Sequence, residues 1–199
     1  MSYNIRYNNP ADGENQWDLR KDRLVQKVTL DDCDIIGFQE VLASQMNYLD
    51  STMTDYKWVG VGRDDGKQGG EYAPIFYKKD KFSIDHWGTQ WLSETPDTPS
   101  LGWDAACIRI ASWAVLKSQE DGSCMLFINT HFDHVGQQAR INGSRVIVAL
   151  ADSLKGVYGK LPLVLTGDFN SVVQDDALTP IVGSFRYGMD ACANPVAPS

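Results

Sequence analysis

The distribution of apolar residues along the chain predicts β-strands connected by a few amphipathic helices. Apolar or alternating runs predict strands at 3–7, 34–40, 58–63, 71–77, 82–91, 108–117, 125–131 and 163–166. Helical spacing predicts helices at 17–30, at 44–53 with Ser44 as N-cap, and at 137–158. Segments rich in polar residues, Gly or Pro predict loops at 8–13, 64–70, 95–99 and 193–199, and a short helix or turn at 175–180. No repeat or interdomain linker interrupts this pattern, so a single domain, 1–199, is expected.

Polar residues follow the last predicted strand. Residues 163–166 are apolar or β-branched, and Asp168 and Asn170 come just after Gly167, where the strand is expected to break. Alternation along an extended chain places these two side chains on one side and Phe169 on the other. A carboxylate beside a carboxamide can hold a hard cation and a phosphate oxygen. The same residues also favour a plain Asx-type turn, so this segment alone leaves both interpretations open.

Three other apolar strands also end in, or carry, a polar group. These groups are Asn4, Glu40 and His131. A lone Glu at a strand end is usually solvated, but sites in open α/β sheets gather outside the strand ends. Together, such groups suit metal-assisted hydrolysis of a phosphate ester. Glu40 can hold a divalent cation that keeps its waters, Asp168 can orient or deprotonate water, and His or Arg can stabilise the developing charge.

Composition limits the classes of function. The chain has 199 residues and a formal net charge of −8, which argues against a broad basic surface for nucleic acid. A phosphate-handling site remains possible, because a bound metal supplies positive charge locally. No apolar run approaches the roughly 20 residues of a membrane span, and no leader is evident. We therefore expect a soluble protein, either cytoplasmic or exported with a leader absent from this chain.

The four cysteines do not indicate a zinc site. Cys33, Cys107, Cys124 and Cys192 are far apart and lack CxxC spacing. Cys107 and Cys124 could face each other across adjacent strands, but free buried thiols are the favoured interpretation.

Four motifs in this order carry a resemblance to a known family. They are Tyr3-Asn4-Ile5-Arg6, Gln39-Glu40, Asn129-Thr130-His131 and Thr166-Gly167-Asp168-Phe169-Asn170. The set resembles the endonuclease/exonuclease/phosphatase superfamily, which includes deoxyribonuclease-like nucleases, deadenylases, sphingomyelinases and inositol polyphosphate phosphatases. The tract 91–96, followed by Trp103-Asp104, looks like a bacterial branch of this family.

The resemblance implies a fold and a site. The implied fold is α/β in the broad sense (α+β), a four-layer sandwich of two packed, mostly antiparallel β-sheets flanked by helices. The metal would be Mg²⁺ or Mn²⁺, with Glu40 as principal ligand and Asn4 and Asp168 beside it. The implied catalytic residues are His131, Asp168 and Asn170, with Glu71 orienting His131. Arg109 would bind the substrate phosphate together with Asn170 and His131.

One departure from the family pattern changes the expectations. The family places a further Asp, and then a Ser-Asp-His motif, near its C-terminus. This sequence contains no Ser-Asp-His motif and no His in an equivalent position. We therefore expect the chain to lack the family's C-terminal strands, to hydrolyse weakly or not at all, and to self-associate through an incomplete sheet. The substrate expected first is a phosphodiester in nucleic acid. A phosphorylated sugar or lipid headgroup, and a non-catalytic phosphate-binding role, are the alternatives.

Overall fold

Two four-stranded β-sheets lie at the centre of the protein. The computed structural model describes residues 1–191, so the predicted loop at 193–199 and Cys192 lie outside the described residues. The first sheet has the order β1-β2-β4-β3, with β1 at Ser2–Asn4, β2 at Ile35–Gln39, β3 at Tyr56–Val59 and β4 at Ile75–Lys78. The second has the order β5-β6-β7-β8, with β5 at Phe82–Trp91, β6 at Ile110–Ser118, β7 at Cys124–His131 and β8 at Leu163–Asp168.

Helices pack on the outer faces of the two sheets. They are α1 at Trp17–Asp31, α2 at Ala43–Thr52, α3 at Gln137–Tyr158, α4 at Thr179–Ser184 and α5 at Gly188–Ala191, with 3₁₀ turns at Pro10–Asn15 and Asp176–Leu178. Buried residues of α1 and α2 pack on the first sheet, and those of α3 and α4 pack on the second. A third apolar cluster, which includes Ile75, Leu116 and Phe127, lies between the sheets. The result is the predicted four-layer α+β sandwich.

Each sheet is mixed. β1 pairs parallel with β2, and β7 pairs parallel with β8, whereas the other neighbouring pairs are antiparallel. The parallel pairs bring β-strand ends together at one end of the sandwich. Asn4 lies opposite Gln39 in the first sheet, and His131 lies opposite Asp168 in the second. β1 and β8 are edge strands within the described residues, and self-association through such an edge stays a prediction.

Several local predictions need correction. The first strand ends at Asn4 instead of residue 7, because Arg6 has a left-handed φ of 56°. A 3₁₀ helix forms at Pro10–Asn15 where a loop was expected, since the Asn9 side chain accepts from the Ala11 amide and caps it. Ser44 is not the N-cap of α2. The cap is Leu42, whose amide donates to the Gln45 side chain.

Two further predictions concern the end of β8 and the state of the cysteines. β8 continues through Gly167 to Asp168, so Gly167 does not break the strand. Cys33, Cys107 and Cys124 are free thiols as expected, but they are partly exposed instead of buried. Cys124 lies opposite Lys117 and therefore does not face Cys107. Within the described residues, no helix has the length and apolarity needed to cross a membrane.

A fully buried side-chain amide joins the two sheets. Asn129 on β7 donates from Nδ2 to the carbonyl oxygens of Phe38 at 2.7 Å and Pro74 at 3.0 Å. Its Oδ1 accepts from Gln39 Nε2 at 2.7 Å and from Thr166 Oγ1 at 3.1 Å. All four partners are protein groups, so both ends of the amide are satisfied without water.

Replacing Asn129 with the similarly sized Leu would remove four buried hydrogen bonds at once, those with Phe38 O, Pro74 O, Gln39 Nε2 and Thr166 Oγ1. We expect Asn129→Leu to lower the free energy of unfolding by about 3 kcal/mol, measured by urea denaturation. The matched control is Asn142→Leu on α3, where the amide accepts only from Arg145 at the surface and a change within about 0.5 kcal/mol is expected. Equal effects of the two substitutions would contradict the role of Asn129.

Candidate metal and phosphate site

Asn4 connects the two carboxylates of the candidate site. Its Nδ2 donates to Glu40 Oε1 at 2.8 Å and to Asp168 Oδ2 at 2.9 Å. Asn4 ends β1, Glu40 follows β2, and Asp168 ends β8, so the site draws on both sheets. Glu40 has a left-handed φ of 62°, at the point where the chain leaves β2. The three residues predicted to hold the metal are therefore in direct contact.

Backbone groups fix the remaining oxygens of this cluster. The Tyr7 amide donates to Glu40 Oε2 at 3.1 Å, and the Asn170 amide donates to Asp168 Oδ1 at 3.0 Å. Asn4 Oδ1 accepts from the Arg6 amide at 2.9 Å. The bond from Asn170 to Asp168 is an Asx-type turn, so the turn and the site are two aspects of the same segment.

The donor set fits a hard divalent cation. It consists of the carboxylates of Glu40 and Asp168, toward which Asn4 points its Nδ2, while Asn4 Oδ1 accepts from the Arg6 amide. Within residues 1–191, no three or more His, Cys, Asp or Glu side chains are grouped as a metal cage. Mg²⁺ commonly binds through one or two carboxylates and keeps several waters, which is the kind of site these residues can provide.

Asn170 and His131 lie beside the carboxylates. Asn170 Nδ2 donates to the Phe132 carbonyl at 2.9 Å and lies 3.1 Å from His131 Nε2. Because the carbonyl requires an N–H donor, the amide orientation is fixed and His131 Nε2 is the acceptor of the second N–H. Burial, and then the nearby Arg109 charge, lower the pKa of His131 to about 4. His131 is therefore neutral at pH 7, with its proton on Nδ1.

Glu71 does not orient His131 in the predicted way. Its Oε2 lies 3.9 Å from His131 Nδ1, beyond hydrogen-bond distance, and instead accepts from Arg63 Nη1 at 2.7 Å. His131 Nδ1 is buried without a hydrogen-bond partner. Burial raises the pKa of the Glu71 carboxyl, although Arg63 and Arg109 oppose that shift. The ion pair with Arg63 could not be predicted, because nothing in the sequence singles out that arginine.

The Arg109 guanidinium is held in place by the buried carboxylate of Asp133. Its Nε donates to Asp133 Oδ2 at 3.2 Å, and the Cys107 amide donates to the same oxygen. The amides of Val135 and Gly136 donate to Asp133 Oδ1 at 3.0 and 2.7 Å. Burial alone would raise the pKa of Asp133, but these amides and Arg109 hold it well below its usual range. The Asp133 carboxylate therefore points into the protein.

A cavity of about 490 Å³ connects the predicted residues. Its lining includes Glu40, Glu71 and Asn170, together with a group of cationic or imidazole side chains. That group consists of Arg6, Arg63, Arg109, His131 and His134. Asn170 also lines an adjoining cavity of about 400 Å³, which contains Asn4 and Asp168. Two cavities thus meet at Asn170. The smaller contains Asp168, and the larger combines two carboxylates, Glu40 and Glu71, with the cationic and imidazole side chains.

This fold is the one that the four motifs predicted. Residues 1–186 match the profile of the Endonuclease/Exonuclease/phosphatase family. The chain belongs to that family, because the match covers nearly its whole length.

Known structures and sequences support the same assignment. An endonuclease/exonuclease/phosphatase from Bacteroides vulgatus is 45% identical, with a TM-score of 0.87 over 92% of this chain and 69% of that chain. A mannosyl-6-phosphatase from Bacteroides thetaiotaomicron is 40% identical, with a TM-score of 0.86 over 92% of this chain and 68% of that one. An uncharacterised protein of Acanthamoeba polyphaga mimivirus is 27% identical over 172 residues, which are 82% of this chain. The chain spans 61% of that viral protein's length.

The geometry predicts which carboxylate controls cation binding. Glu40→Gln removes one of the two negative charges around Asn4 while preserving size, so Mn²⁺ affinity should fall by about tenfold or more in isothermal titration calorimetry. Glu14→Gln is the matched control, because Glu14 is exposed in the 3₁₀ segment Pro10–Asn15 and should leave affinity unchanged. Equal Mn²⁺ affinity in the two variants would exclude Glu40 as a ligand.

Proposed function

We propose that this protein hydrolyses phosphate esters with the help of a divalent cation, Mg²⁺ or Mn²⁺. The observation that carries the proposal is the contact of Asn4 with both Glu40 and Asp168, next to Asn170 and His131. Five residues from distant parts of the chain meet at one place, which is what metal-assisted hydrolysis requires. Membership of a family of phosphoesterases supports the same function.

Each residue has a role in this proposal. Glu40, Asn4 and Asp168 hold the cation. When bound, the cation supplies positive charge that neutralises phosphate oxygens and assists the leaving group. Asp168 orients the attacking water and accepts its proton. Asn170 fixes a phosphate oxygen, and His131 and Arg109 lie where negative charge develops on the phosphoryl group.

The sequence leaves two classes of substrate, nucleic acid and small phosphorylated molecules, and three observations favour the small molecules. The cavity of about 490 Å³ is in the size range of small-molecule sites, and the net charge of −8 does not suit a nucleic-acid surface. A relative at 40% identity is described as a mannosyl-6-phosphatase. We therefore favour a phosphorylated sugar as substrate over the nucleic acid that was expected first.

Turnover should depend on Asp168. With Mg²⁺ or Mn²⁺, we expect the protein as its gene encodes it to release p-nitrophenol from p-nitrophenyl phosphate or its bis ester. Asp168→Asn should lower kcat by about 100-fold or more, because it removes the base that orients water. Asp152→Asn on the exposed side of α3 is the control and should keep full activity. Lack of turnover of every monoester and diester tried would refute the proposed function.

Substrate choice can be tested with a direct comparison. We expect a higher kcat/KM for a phosphorylated hexose than for single-stranded DNA or RNA under the same metal and salt conditions. The physical reason is that a polymer needs an extended cationic surface, whereas a sugar phosphate needs only one enclosed cationic cavity. Preference for DNA or RNA would restore the nuclease hypothesis without affecting the proposed hydrolysis.

A further inference from the structure

The cavity of about 490 Å³, called the cationic cavity below, is lined by side chains with donor atoms that have no acceptor. Arg109 Nη1, His131 Nδ1 and Arg63 Nε are buried without a hydrogen-bond partner, and all three side chains line this cavity. The nearest carboxylate oxygens to His131 Nδ1 and Arg63 Nε are 3.9 and 3.8 Å away. Buried donors in native proteins are almost always paired, so these three side chains have unmet hydrogen-bonding capacity at the cavity wall.

His134 adds a further donor at the same wall. Its Nδ1 lies 2.9 Å from Arg109 Nη2. A guanidinium can only donate, so His134 Nδ1 must be the acceptor and carries no proton. The ring therefore carries its proton on Nε2, which is the N–H donor that His134 can offer to a ligand.

The arginine that fixes this tautomer is itself immobilised. Asp133 accepts from Arg109 Nε, and three backbone amides fill its remaining positions, those of Cys107, Val135 and Gly136. Arg109 is only 5% exposed. Arg109 is thus fixed by a buried network, and the exposed His134 ring is held next to it by the hydrogen bond to Arg109 Nη2.

From this arrangement we propose that His134 is a specificity-determining residue that selects phosphomonoesters over phosphodiesters. The inference rests on the proposed function, since it concerns the substrate of the same site. A phosphomonoester has three non-bridging oxygens, so it can satisfy Arg109 and His134 and still present an oxygen to Asn170 and the carboxylate cluster. A diester has only two such oxygens, because the third oxygen carries carbon and leaves one donor poorly paired.

Anion binding tests this selectivity independently of turnover. Methyl phosphate and dimethyl phosphate differ by one methyl group, and their affinities for the protein with Mg²⁺ can be measured by isothermal titration calorimetry. We expect His134→Ala to weaken methyl phosphate binding by about tenfold and dimethyl phosphate binding by less than about twofold. Methyl phosphate carries more negative charge at pH 7 than dimethyl phosphate, so a variant with an uncharged N–H donor at position 134 is needed to separate a hydrogen-bond effect from a Coulombic one.

Two further variants complete the design. His134→Gln retains an acceptor for Arg109 and an N–H donor, so it should recover most of the methyl phosphate affinity. His86→Ala is the matched control, because His86 stacks on Tyr158 with ring centroids 4.9 Å apart, is more than half exposed, and does not line the cavity. It should bind both anions like the unmodified protein.

The outcomes separate this inference from the function it rests on. Equal weakening of both anions by His134→Ala, unchanged methyl phosphate binding, or failure of the unmodified protein to bind either anion would overturn the role of His134. Selective loss for methyl phosphate would support it even if no ester is hydrolysed. Absence of turnover in the separate p-nitrophenyl assay would refute only the proposed hydrolysis.

Discussion

The buried amide of Asn129 is the interaction on which the site depends. Glu40 belongs to the first sheet, whereas His131 and Asp168 belong to the second, so the site exists only if the two sheets keep a fixed relation. Asn129 bonds to two carbonyls of the first sheet's segments and to side chains from both sheets. A buried amide left half satisfied is costly, so this network allows one register between the sheets and disfavours others.

The same network explains why residue 37 is a glycine. A Cβ at Gly37 would lie 2.4 Å from both Asn129 Oδ1 and Thr166 Oγ1, a distance that neither neighbour could accommodate without moving. The close approach of the sheets at this point leaves no space for a side chain. The same contact between Gly37, Asn129 and Thr166 therefore determines how the sheets pack. It also determines where the polar cluster at their ends lies.

The sequence allowed better predictions of the site residues than of the backbone turns that position them. Apolar strands ending in Asn4, Glu40, His131 and Asp168 were sufficient to predict their convergence, because strand ends in a layered sheet share one edge. The left-handed turns at Arg6 and Glu40 were not predictable, since these residue types rarely adopt positive φ and only tertiary contacts impose it.

Other residues were missed because their roles arise from burial. Four N–H donors draw the Asp133 carboxylate inward, where it holds Arg109. Arg63 could not be assigned to Glu71, because ion pairs between loops leave no periodic signal. A recognisable sign for His134 did exist, namely its place three residues after His131, yet strand alternation does not extend into a loop.

The loop from β7 to α3 shows how rigidity and charge are combined here. Within the loop, Asp133 Oδ1 accepts from the amides of Val135 and Gly136. At the start of α3, Asp104 accepts from the Ala139 amide at 2.7 Å. These bonds fix the backbone that carries His131 and His134 before any ligand enters. Donors that are already oriented need no reorganisation when negative charge develops, and this is the condition under which they stabilise a phosphoryl group most effectively. The same rigidity leaves His131 Nδ1 without a protein partner, because its ring is held by Asn170 through Nε2 and cannot turn toward another acceptor.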